Sequence, residues 1–375
     1  MTGRVVHYVD SDIYGGSEVA ALHLIASLDR ARWEPVLLHH PDAGIVRLVD
    51  GAALLGVRTS AVPRVDRRRP FVGLFRLWRA LCAERPAILH AHLSWPLACK
   101  YGVLAAWLAR VPAIIATAQL YVELRDNRRP PLTLRPLRRI IAVSDEVKAR
   151  YAQDLAVPMR KLVVVRNGIR VPPSPRPPDP TLRTELIGDR PDYLVLTLAR
   201  LHRQKGHAYL LAAAAQVSDA TFVLAGDGPL RAELEGQARE LGVADRCIFL
   251  GDRSDVPDLL AVADLVVLPS LFEGLPVSVL EAMAAQRPVV ATAIGGTSEA
   301  VIHEVTGLLV PPRDPAALGS AIRRMRADPE LAHRLAAAGR ERVEAEFSSV
   351  ITARDVMCIY DEVMADAGST RVGNA

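Results

Sequence analysis

Two carboxylates accompany a predicted strand-to-helix turn in the second half of the chain. Glu273 follows the apolar run 265–268, and Glu281 lies in the second turn of the helix that Pro276 opens. The loop between them reads Gly274, Leu275 and Pro276, and its backbone N–H groups would lie beside the positive end of that helix, which suits an electron-rich ligand. We predict that Glu273 accepts hydrogen bonds from sugar hydroxyls and that Glu281 holds two vicinal hydroxyls of a ribose. The alternative is a first-turn acid followed by a solvated helical glutamate.

Two cations flank the loop that follows the first predicted strand of the second half, 193–198. Arg200 and Lys205 are separated by only four residues, and Arg203 competes with them for the same role. A diphosphate leaving group needs such fixed charges, and each charge-assisted hydrogen bond contributes about 1.5–3 kcal/mol. We therefore predict that Arg200 and Lys205 bind phosphate. A solvated basic turn is the alternative for this loop taken alone.

Glycine-rich turns follow two further predicted strands. Gly226 and Gly228 surround an aspartate after the run 221–225, where the turn could approach a base or a ribose or be purely structural. Gly15 and Gly16 join the first strand to the first helix, where a backbone can come close to a phosphate. The spacing is not G-x-G-x-x-G, so the fingerprint of a nicotinamide or flavin site is absent from the place where it belongs.

Polar residues at other strand ends are candidates for contacts with an acceptor or sugar. His92 ends the predicted strand 87–91 and could present its imidazole, although a buried structural histidine is the competing interpretation. Ser144 is first of all a helix N-cap. Asp10 and Asp12 lie at a strand end without an evident third ligand, so we predict no metal site.

The elements that would position these residues alternate regularly between strands and helices. Apolar runs of four to seven residues are continuous rather than alternating, as in strands that are buried on both faces. The predicted strands are 4–9, 35–39, 87–91, 112–117, 139–143 and 162–165, then 193–198, 221–225, 246–250, 265–268, 288–292 and 307–310. The pattern predicts two doubly wound α/β domains with parallel sheets, whose ligands would lie in the cleft between them at the carboxyl ends of the strands.

A proline-rich segment interrupts the alternation. Residues 171–180 contain six prolines, which excludes a central strand or helix interior and predicts a stiff linker. The predicted organisation is an N-terminal Rossmann-like domain over 1–170, a linker over 171–190, a donor-binding domain over 191–349, a helix over 350–366 that crosses back to the first domain, and a flexible tail over 367–375.

The bulk composition narrows the classes of partner. Residues 1–170 carry 26 Lys and Arg against 14 Asp and Glu, whereas 171–375 carry 20 against 28. No aromatic-interleaved basic motif accompanies the positive half, so we predict no nucleic acid partner. The four cysteines are scattered, and no apolar stretch is long enough to span a membrane, which predicts a cytoplasmic protein.

One basic stretch has an amphipathic character. Residues 64–82 mix six arginines with bulky apolar residues, a combination that can hold a helix on an anionic membrane surface. The alternative is a helix that packs its apolar side on the sheet and leaves its arginines in solvent. The sequence leaves both open, and with them a peripheral position at the inner face of the membrane.

Taken together, the ordered motifs resemble the retaining GT-B glycosyltransferases of family 4 over essentially the whole chain. The motifs that carry the resemblance are Gly15-Gly16, Arg200 with Lys205-Gly206, Gly226-Asp227-Gly228, and Glu273 with Glu281. The resemblance implies a GT-B fold, a UDP- or GDP-type sugar donor, a hydroxyl acceptor, and hexosyl transfer with retention and without an obligatory metal or other cofactor. It also implies phosphate contacts from Arg200 and Lys205, a sugar contact from Glu273 and a ribose contact from Glu281.

One departure from the family pattern concerns the opposite wall of the site. Many members place a histidine after the strand that matches 112–117, and here Gln119 stands in that position. A glutamine can hydrogen-bond a sugar hydroxyl but cannot carry a proton charge. Two other functions therefore stay open: a nucleotide-sugar-binding protein without transfer activity, and a sugar-nucleotide epimerase on the same fold.

Overall fold

The computed structural model describes residues 2–66, 68, 70–121, 130–188 and 193–372, and the chain divides into two compact units. Unit 1 comprises Met1–Arg170 and Ser349–Ala375, and unit 2 comprises Val171–Ser348. Each unit is built around one parallel sheet with helices on both faces. Among the described residues, no helix combines the length and the apolar character that crossing a bilayer requires.

Unit 1 contains a seven-stranded parallel sheet in the order β3-β2-β1-β4-β5-β6-β7. The strands are β1 (Gly3–Val9), β2 (Trp33–His39), β3 (Arg58–Ala61), β4 (Ile88–Leu93), β5 (Ala113–Ala118), β6 (Arg139–Ala142) and β7 (Leu162–Val164). The helices are α1 (Gly16–Ser27), α2 (Val46–Leu54), α3 (Pro70–Glu84), α4 (Lys100–Leu108), α5 (Asp145–Gln153) and the C-terminal α14 (Ser349–Val372). The sequence analysis missed β3 because this edge strand is polar and half-exposed, without an apolar run.

The order of the strands decides which helices share a face of the sheet. The chain moves outward from β1 to β3 and then returns through β4 to β7, and connections between parallel strands are right-handed. Helices α1 and α2 therefore cover one face, and α3 and α4 cover the other. Contacts of α1 with α2 and α14, and of α3 with α4, agree with this division.

Unit 2 contains a six-stranded parallel sheet in the order β10-β9-β8-β11-β12-β13. The strands are β8 (Tyr193–Leu198), β9 (Ala220–Ala225), β10 (Cys247–Gly251), β11 (Leu265–Leu268), β12 (Val289–Thr292) and β13 (Leu308–Val310). The helices are α6 (Pro180–Ile187), α7 (His207–Ala214), α8 (Arg231–Glu240), α9 (Val256–Val262), α10 (Val277–Ala284), α11 (Gly295–Ala300), α12 (Pro315–Ala327) and α13 (Pro329–Glu346). The prediction of two parallel α/β domains is confirmed.

Two segments differ from the predicted organisation. The predicted linker 171–190 contains α6, because the carboxylate of Asp179 caps the helix and Pro180 takes its first position, where a missing N–H costs nothing. Helix α14 continues to Val372, into the segment predicted as a flexible tail. Residues 189–190 of the predicted linker, 373–375 of the tail, and Arg67 and Arg69 of the amphipathic stretch lie outside the described residues.

Candidate functional site

In unit 2, the carboxylate of Glu273 is buried after the carboxyl end of β11, where three donors hold it. Its Oε1 accepts hydrogen bonds from Lys205 Nζ at 2.5 Å and from Ser270 Oγ at 2.7 Å. Its Oε2 lies 3.4 Å from Gln204 Nε2. A buried charge is tolerated only when it is paired and hydrogen-bonded, so this network explains how a carboxylate that is only 5% exposed stays in place. The cation predicted to bind phosphate and the acid predicted to bind sugar are thus direct neighbours.

Gln204 connects the loop that follows β8 to the loop that follows β11. Its side-chain amide donates to Phe272 O at 2.9 Å, and its backbone carbonyl accepts from the N–H of Leu271 at 2.7 Å. Sequence reasoning missed Gln204 and Ser270 as parts of the site. The available signal was their position, since Gln204 precedes Lys205 directly and Ser270 lies three residues before Glu273.

The loop after β8 concentrates positive charge. The pKa of His202 is lowered by partial burial and then by the nearby charges of Arg200, Lys205 and Arg203. Among the described residues, the guanidinium of Arg200 has no ion-pair or hydrogen-bond partner. Its backbone carbonyl accepts a hydrogen bond from Nε2 of His207 at 3.0 Å, which holds the segment in position. Within the described part of the chain, the guanidinium of Arg200 is thus available to an anionic ligand, whereas Lys205 contacts Glu273.

The glycines of this region permit close backbone packing. A Cβ on Gly226 would lie 2.2 Å from the carbonyl oxygen of Ala199, and a Cβ on Gly228 would lie 2.5 Å from that of Leu201. Both carbonyls flank Arg200. Gly226 and Gly228 therefore support the segment that carries Arg200, and this packing accounts for the glycines independently of any contact with a base or ribose.

The loop 274–276 presents backbone donors at the start of α10. Pro276 has no N–H group and forms the N-cap rather than the first helical residue that the sequence predicted, so the loop's donors are Gly274 and Leu275. Neither N–H makes an intramolecular hydrogen bond within the described part of the chain. Gly296 packs so closely that a Cβ there would lie 1.7 Å from the carbonyl oxygen of Gly274, so this contact requires glycine.

Glu281 lies in the second turn of α10, as predicted, and is half-buried. Burial raises the pKa of its carboxyl group to about 7. Within the described residues, no cation or hydrogen-bond donor contacts its carboxylate. A carboxylate in such a recess can be stabilised by donors on a ligand, and a pair of ribose hydroxyls would supply them.

In unit 1, the turn at Gly15 and Gly16 is closed by the chain's own carboxylate. Glu18 accepts a hydrogen bond from the N–H of Gly15 at 2.9 Å and from Ser17 Oγ at 2.7 Å, so its carboxylate caps the start of α1 from the third helical position. Burial raises the pKa of Glu18. The N–H of Gly15 is therefore already used, and the remaining first-turn donors are those of Gly16 and Ser17.

His92 belongs to a cluster of three buried histidines on neighbouring strands. His7 on β1 pairs in register with His90 on β4, and His92 follows on the same face. Nδ1 of His7 lies 3.1 Å from Nε2 of His92, and His90 lies 2.7 Å from both Tyr360 Oη and Thr117 Oγ1. His92 is thus a packed core residue, the structural interpretation that the sequence analysis had left open.

The three imidazoles lie close enough to raise the question of a metal site. The rings of His90 and His92 are stacked with centroids 4.6 Å apart and planes 22° apart, and one nitrogen of each of the three rings lies within 4.8 Å of the others. Both nitrogens of His90 already have side-chain partners, whereas Nε2 of His7 and Nδ1 of His92 have no hydrogen-bond partner within the described residues. A metal bound through His90 would therefore have to displace one of its hydrogen-bond partners.

The buried histidines predict a loss of stability in acid. Burial lowers the pKa of His92 to about 4 and those of His7 and His90 well below 6.5. Below pH 6.5, the unfolded chain then binds more protons than the folded chain. The contribution of these histidines to the free energy of unfolding is therefore fully present above pH 6.5 and is lost progressively towards pH 4. The lowered pKa of His92 alone should reduce the free energy of unfolding by about 3 kcal/mol between pH 6.5 and pH 4.

Urea unfolding between pH 7.5 and pH 4.5 measures this effect. All four tryptophans lie in unit 1, so their fluorescence follows the relevant unit. The double substitution of His7 and His92 by leucine should flatten the pH dependence, whereas replacement of the exposed His333 by asparagine should not change it. An unchanged slope in the double variant would contradict the assignment.

Gln119 and Asn167 form a reciprocal pair of hydrogen bonds in unit 1. Nε2 of Gln119 donates to Oδ1 of Asn167 at 3.2 Å, and Nδ2 of Asn167 donates to Oε1 of Gln119 at 2.7 Å. With His92 and Thr117, they line a cavity of about 10 Å³, room for about one water molecule. The hydroxyl of Ser144 is buried and accepts from the N–H of Val147, which is the cap that the sequence predicted.

The carboxylates of Asp10 and Asp12 contact other groups of the protein. Oδ2 of Asp10 accepts a hydrogen bond from the N–H of Cys99 at 2.6 Å, and Arg64 lies 3.9 Å from Asp12 and 2.7 Å from Asp42. Arg64 therefore pairs mainly with Asp42 and only marginally with Asp12, whereas Asp10 is held by a backbone N–H group. The arrangement gives no support to a metal site at this strand end.

The two sheets and these motifs define a class of protein, and comparison with known proteins identifies it. Residues 14–171 match the sequence profile of "Glycosyltransferase Family 4", and residues 180–342 match that of "Glycosyl transferases group 1". The structure of Anabaena HepE, determined with UDP and glucose, superposes with a TM-score of 0.82 at 21% identity, over 96% of this chain and 100% of that one. The fold is therefore GT-B, with two Rossmann-like units.

A relative that aligns over nearly the whole chain shows the family. Alpha-maltose-1-phosphate synthase of Mycolicibacterium smegmatis is 31% identical over 399 residues, which covers 94% of this chain and 97% of the relative. The alignment to alpha-D-kanosaminyltransferase of Streptomyces kanamyceticus, at 34% identity, covers only 47% of each chain. The protein belongs to glycosyltransferase family 4.

Proposed function

We propose that the protein is a retaining glycosyltransferase that transfers a hexose-type sugar from a UDP- or GDP-type donor to a hydroxyl group of a glycan, lipid-linked or small-molecule acceptor. The contact between Lys205 and Glu273 supports this proposal, because the cation that we propose to bind phosphate lies beside the carboxylate that we propose to bind the sugar. The guanidinium of Arg200, which has no partner among the described residues, adds charge for a diphosphate. HepE has also been determined with UDP-glucose, which supports the choice of a nucleotide sugar.

In the proposed reaction, the bond between the anomeric carbon and the diphosphate oxygen breaks, and a bond from the acceptor oxygen to the same carbon forms. The nucleoside diphosphate leaves with the bonding electron pair, and its phosphate oxygen takes the proton of the acceptor hydroxyl on the same face of the sugar. Arg200 and Lys205 stabilise the charge that develops on the leaving group. Glu273 and the N–H groups of Gly274 and Leu275 orient the sugar, and Glu281 orients the ribose.

The decisive experiment combines binding with product analysis. Nucleoside diphosphates and their sugars are titrated into the protein by calorimetry, and the donors that bind are incubated with a broad acceptor panel before mass spectrometry. Proton NMR of the product reports whether the anomeric configuration is retained. Incubation with EDTA tests metal independence, since we propose no resident metal or cofactor. Failure to bind any nucleotide sugar would refute the proposal.

A binding protein without transfer activity is the second candidate, and Gln119 is the observation that favours it. Its amide is engaged on both sides by Asn167, and glutamine cannot exchange a proton as the usual histidine can. Tight donor binding with neither transfer nor slow donor hydrolysis would support this candidate. Appearance of an isomerised donor without any acceptor would instead indicate an epimerase.

The raised pKa of Glu281 predicts that donor binding depends on pH. Only the carboxylate form can accept hydrogen bonds from two ribose hydroxyls, and with a pKa of about 7 that form rises about tenfold in population from pH 6 to pH 8. The dissociation constant for a nucleotide sugar should therefore fall about tenfold over this range. A nucleotide sugar is the right ligand because its diphosphate lacks a terminal phosphate that titrates near neutral pH.

Replacement of Glu281 by glutamine supplies the control. The variant should bind the nucleotide sugar more weakly at pH 8 and should lose the pH dependence, because its amide does not titrate. Calorimetry at pH 6, 7 and 8 on both proteins measures the difference. If the variant kept the same pH profile as the parent, another group would be responsible and Glu281 would not hold the ribose.

We also propose that the protein works in a reducing compartment, the cytoplasm. Its four cysteines are unpaired, and Cys99 and Cys247 are buried as small apolar side chains. Disulfides form mainly in oxidising compartments, so free thiols fit a cytoplasmic location. Fractionation of cells that express a tagged protein would test this assignment.

A further inference from the structure

The outer face of α3 and α4 in unit 1 exposes an unusual amount of apolar surface. Phe71 is 82% exposed, Phe75 is 56% exposed and Trp107 is 58% exposed. Smaller contributions come from Val72, Leu104 and Leu108, and Trp95 and Leu97 are exposed in the segment that precedes α4. Single exposed apolar residues are ordinary, but several large ones on two helices that pack against each other indicate an interaction site.

The spacing of residues along the two helices places these side chains on the side that faces away from the sheet. In α3, the buried residues Gly73, Leu77 and Leu81 recur every four positions and face the unit, which leaves Phe71 and Phe75 on the outside. In α4, Leu104 and Leu108 recur at the same spacing on the exposed side. Because α3 and α4 pack against each other, their exposed faces lie side by side. We call this combined surface the α3–α4 face.

The charge around the α3–α4 face is almost entirely positive. Residues 66–121 contain eight Lys and Arg against two acidic residues, Asp66 and Glu84. The carboxylate of Glu84 is already paired with Arg4 and Arg58, at the far end of α3 from Phe71. In this segment, the cations that the structure describes as exposed are Arg68, Arg76, Arg79, Arg85, Lys100 and Arg110.

We propose that the α3–α4 face binds the surface of an anionic lipid bilayer, with its phenylalanines and Trp107 inserted among the acyl chains and its cations on the phosphates. Bulky apolar side chains beside Lys and Arg are the combination that holds a helix in the membrane interface. A second copy of the chain fits poorly, because a symmetric contact would place the same cations against each other. This inference goes beyond the proposed reaction and involves none of its donor-binding residues.

Co-sedimentation with lipid vesicles tests the proposal. Vesicles of phosphatidylcholine alone are compared with vesicles that contain about 30% phosphatidylglycerol, at low and high ionic strength. We expect binding to the anionic vesicles that is at least about fivefold stronger than binding to the neutral ones and that weakens with salt. Trp78, Trp95 and Trp107 all lie in or between α3 and α4, so tryptophan emission should shift to shorter wavelength on binding.

Two double variants, each with its own control, separate the contributions of the apolar and the charged side chains to vesicle binding. Phe71 and Phe75 are replaced by serine, with Leu54→Ser as control, because Leu54 is 90% exposed on α2 at the opposite face of the sheet. Arg76 and Arg79 are replaced by glutamate, with the same change at the exposed Arg160 and Arg239 as control. Each α3 variant should reduce vesicle binding at least about fivefold, and the controls should bind like the parent protein.

Several outcomes would overturn the proposal. These are equal binding to neutral and anionic vesicles, no binding to either, or parent-like binding by both α3 variants. Concentration-dependent dimerisation that the serine variant abolishes, or binding of RNA in place of vesicles, would assign the face to another partner. The assay contains no nucleotide sugar, so its result is independent of the transfer reaction. Unchanged thermal unfolding of each variant shows that the fold is intact.

Discussion

Replacing Lys205 with alanine is expected to lower the kcat for sugar transfer by about 10²–10³-fold. In the proposed reaction the ammonium group stabilises the departing diphosphate, and removal of one such preorganised contact has effects of this size in other enzymes. The same group contacts Glu273 at 2.5 Å, so the variant also loses the cation that balances a buried carboxylate. Steady-state kinetics with the donor identified by the binding panel would measure the loss.

Arg203 provides a matched control for this substitution. It lies in the same loop and carries the same charge, but it is exposed, whereas Lys205 is largely covered. Arg203→Ala should change kcat by less than about threefold, because an exposed cation interacts weakly through solvent. A comparable loss of kcat in both variants would mean that the total positive charge of the loop, and not a specific contact from Lys205, stabilises the leaving group. Turnover by Lys205→Ala at the parent rate would exclude the assignment of Lys205.

Replacing Glu273 with glutamine should weaken the binding of a nucleotide sugar and its turnover, while leaving the binding of the bare nucleoside diphosphate within about threefold. The carboxylate accepts from Lys205, Ser270 and Gln204, and an amide in its place would turn an N–H₂ group toward one of these donors. We expect a loss of about 10²-fold in kcat/KM for the donor. Calorimetry with diphosphate and nucleotide sugar, together with kinetics, separates the two ligands.

A double-mutant cycle shows whether Lys205 and Glu273 act as one unit. Because their charged groups are in contact, the combined variant should lose much less activity than the product of the two single losses. Glu240→Gln on the exposed side of α8 is the control for a change of carboxylate to amide elsewhere in unit 2. If Glu273→Gln weakened the diphosphate as strongly as the nucleotide sugar, Glu273 would not be a specific sugar contact.

Local sequence patterns predicted the strands that are buried on both faces. Runs such as 193–198 and 265–268 are continuous and apolar because helices cover both sides of a parallel sheet, and this requirement is visible in the sequence. Strand β3 was missed because an edge strand need not be apolar. Helix α6 was missed because the prolines before it dominated the interpretation, although Asp179 and Pro180 are a typical helix start.

The candidate site shows the same division between what is local and what is not. Residue types and spacing pointed to Arg200, Lys205 and Glu273 in loops that follow strands, and to Glu281 in the helix that comes after the second of these loops. The contact between Gln204 and Glu273 could not be predicted in this way, because it forms only after β8 and β11 pair in the sheet. Ser270, by contrast, is a local partner three residues before Glu273. Likewise, only the register of β1 against β4 places His7 beside His92 and makes His92 a core residue.

The sequence by itself therefore determined the class of fold, the order of the strands along the chain and the residue types that can bind a nucleotide sugar, because these depend on periodicity and on chemistry within a few neighbouring residues. Only the tertiary structure decided which side chains are buried, paired or free. The physical reason is that burial, hydrogen-bond partners and pKa values depend on residues far apart in the chain. The pairing of Lys205 with Glu273, the raised pKa of Glu281 and the exposed α3–α4 face all arise in this way.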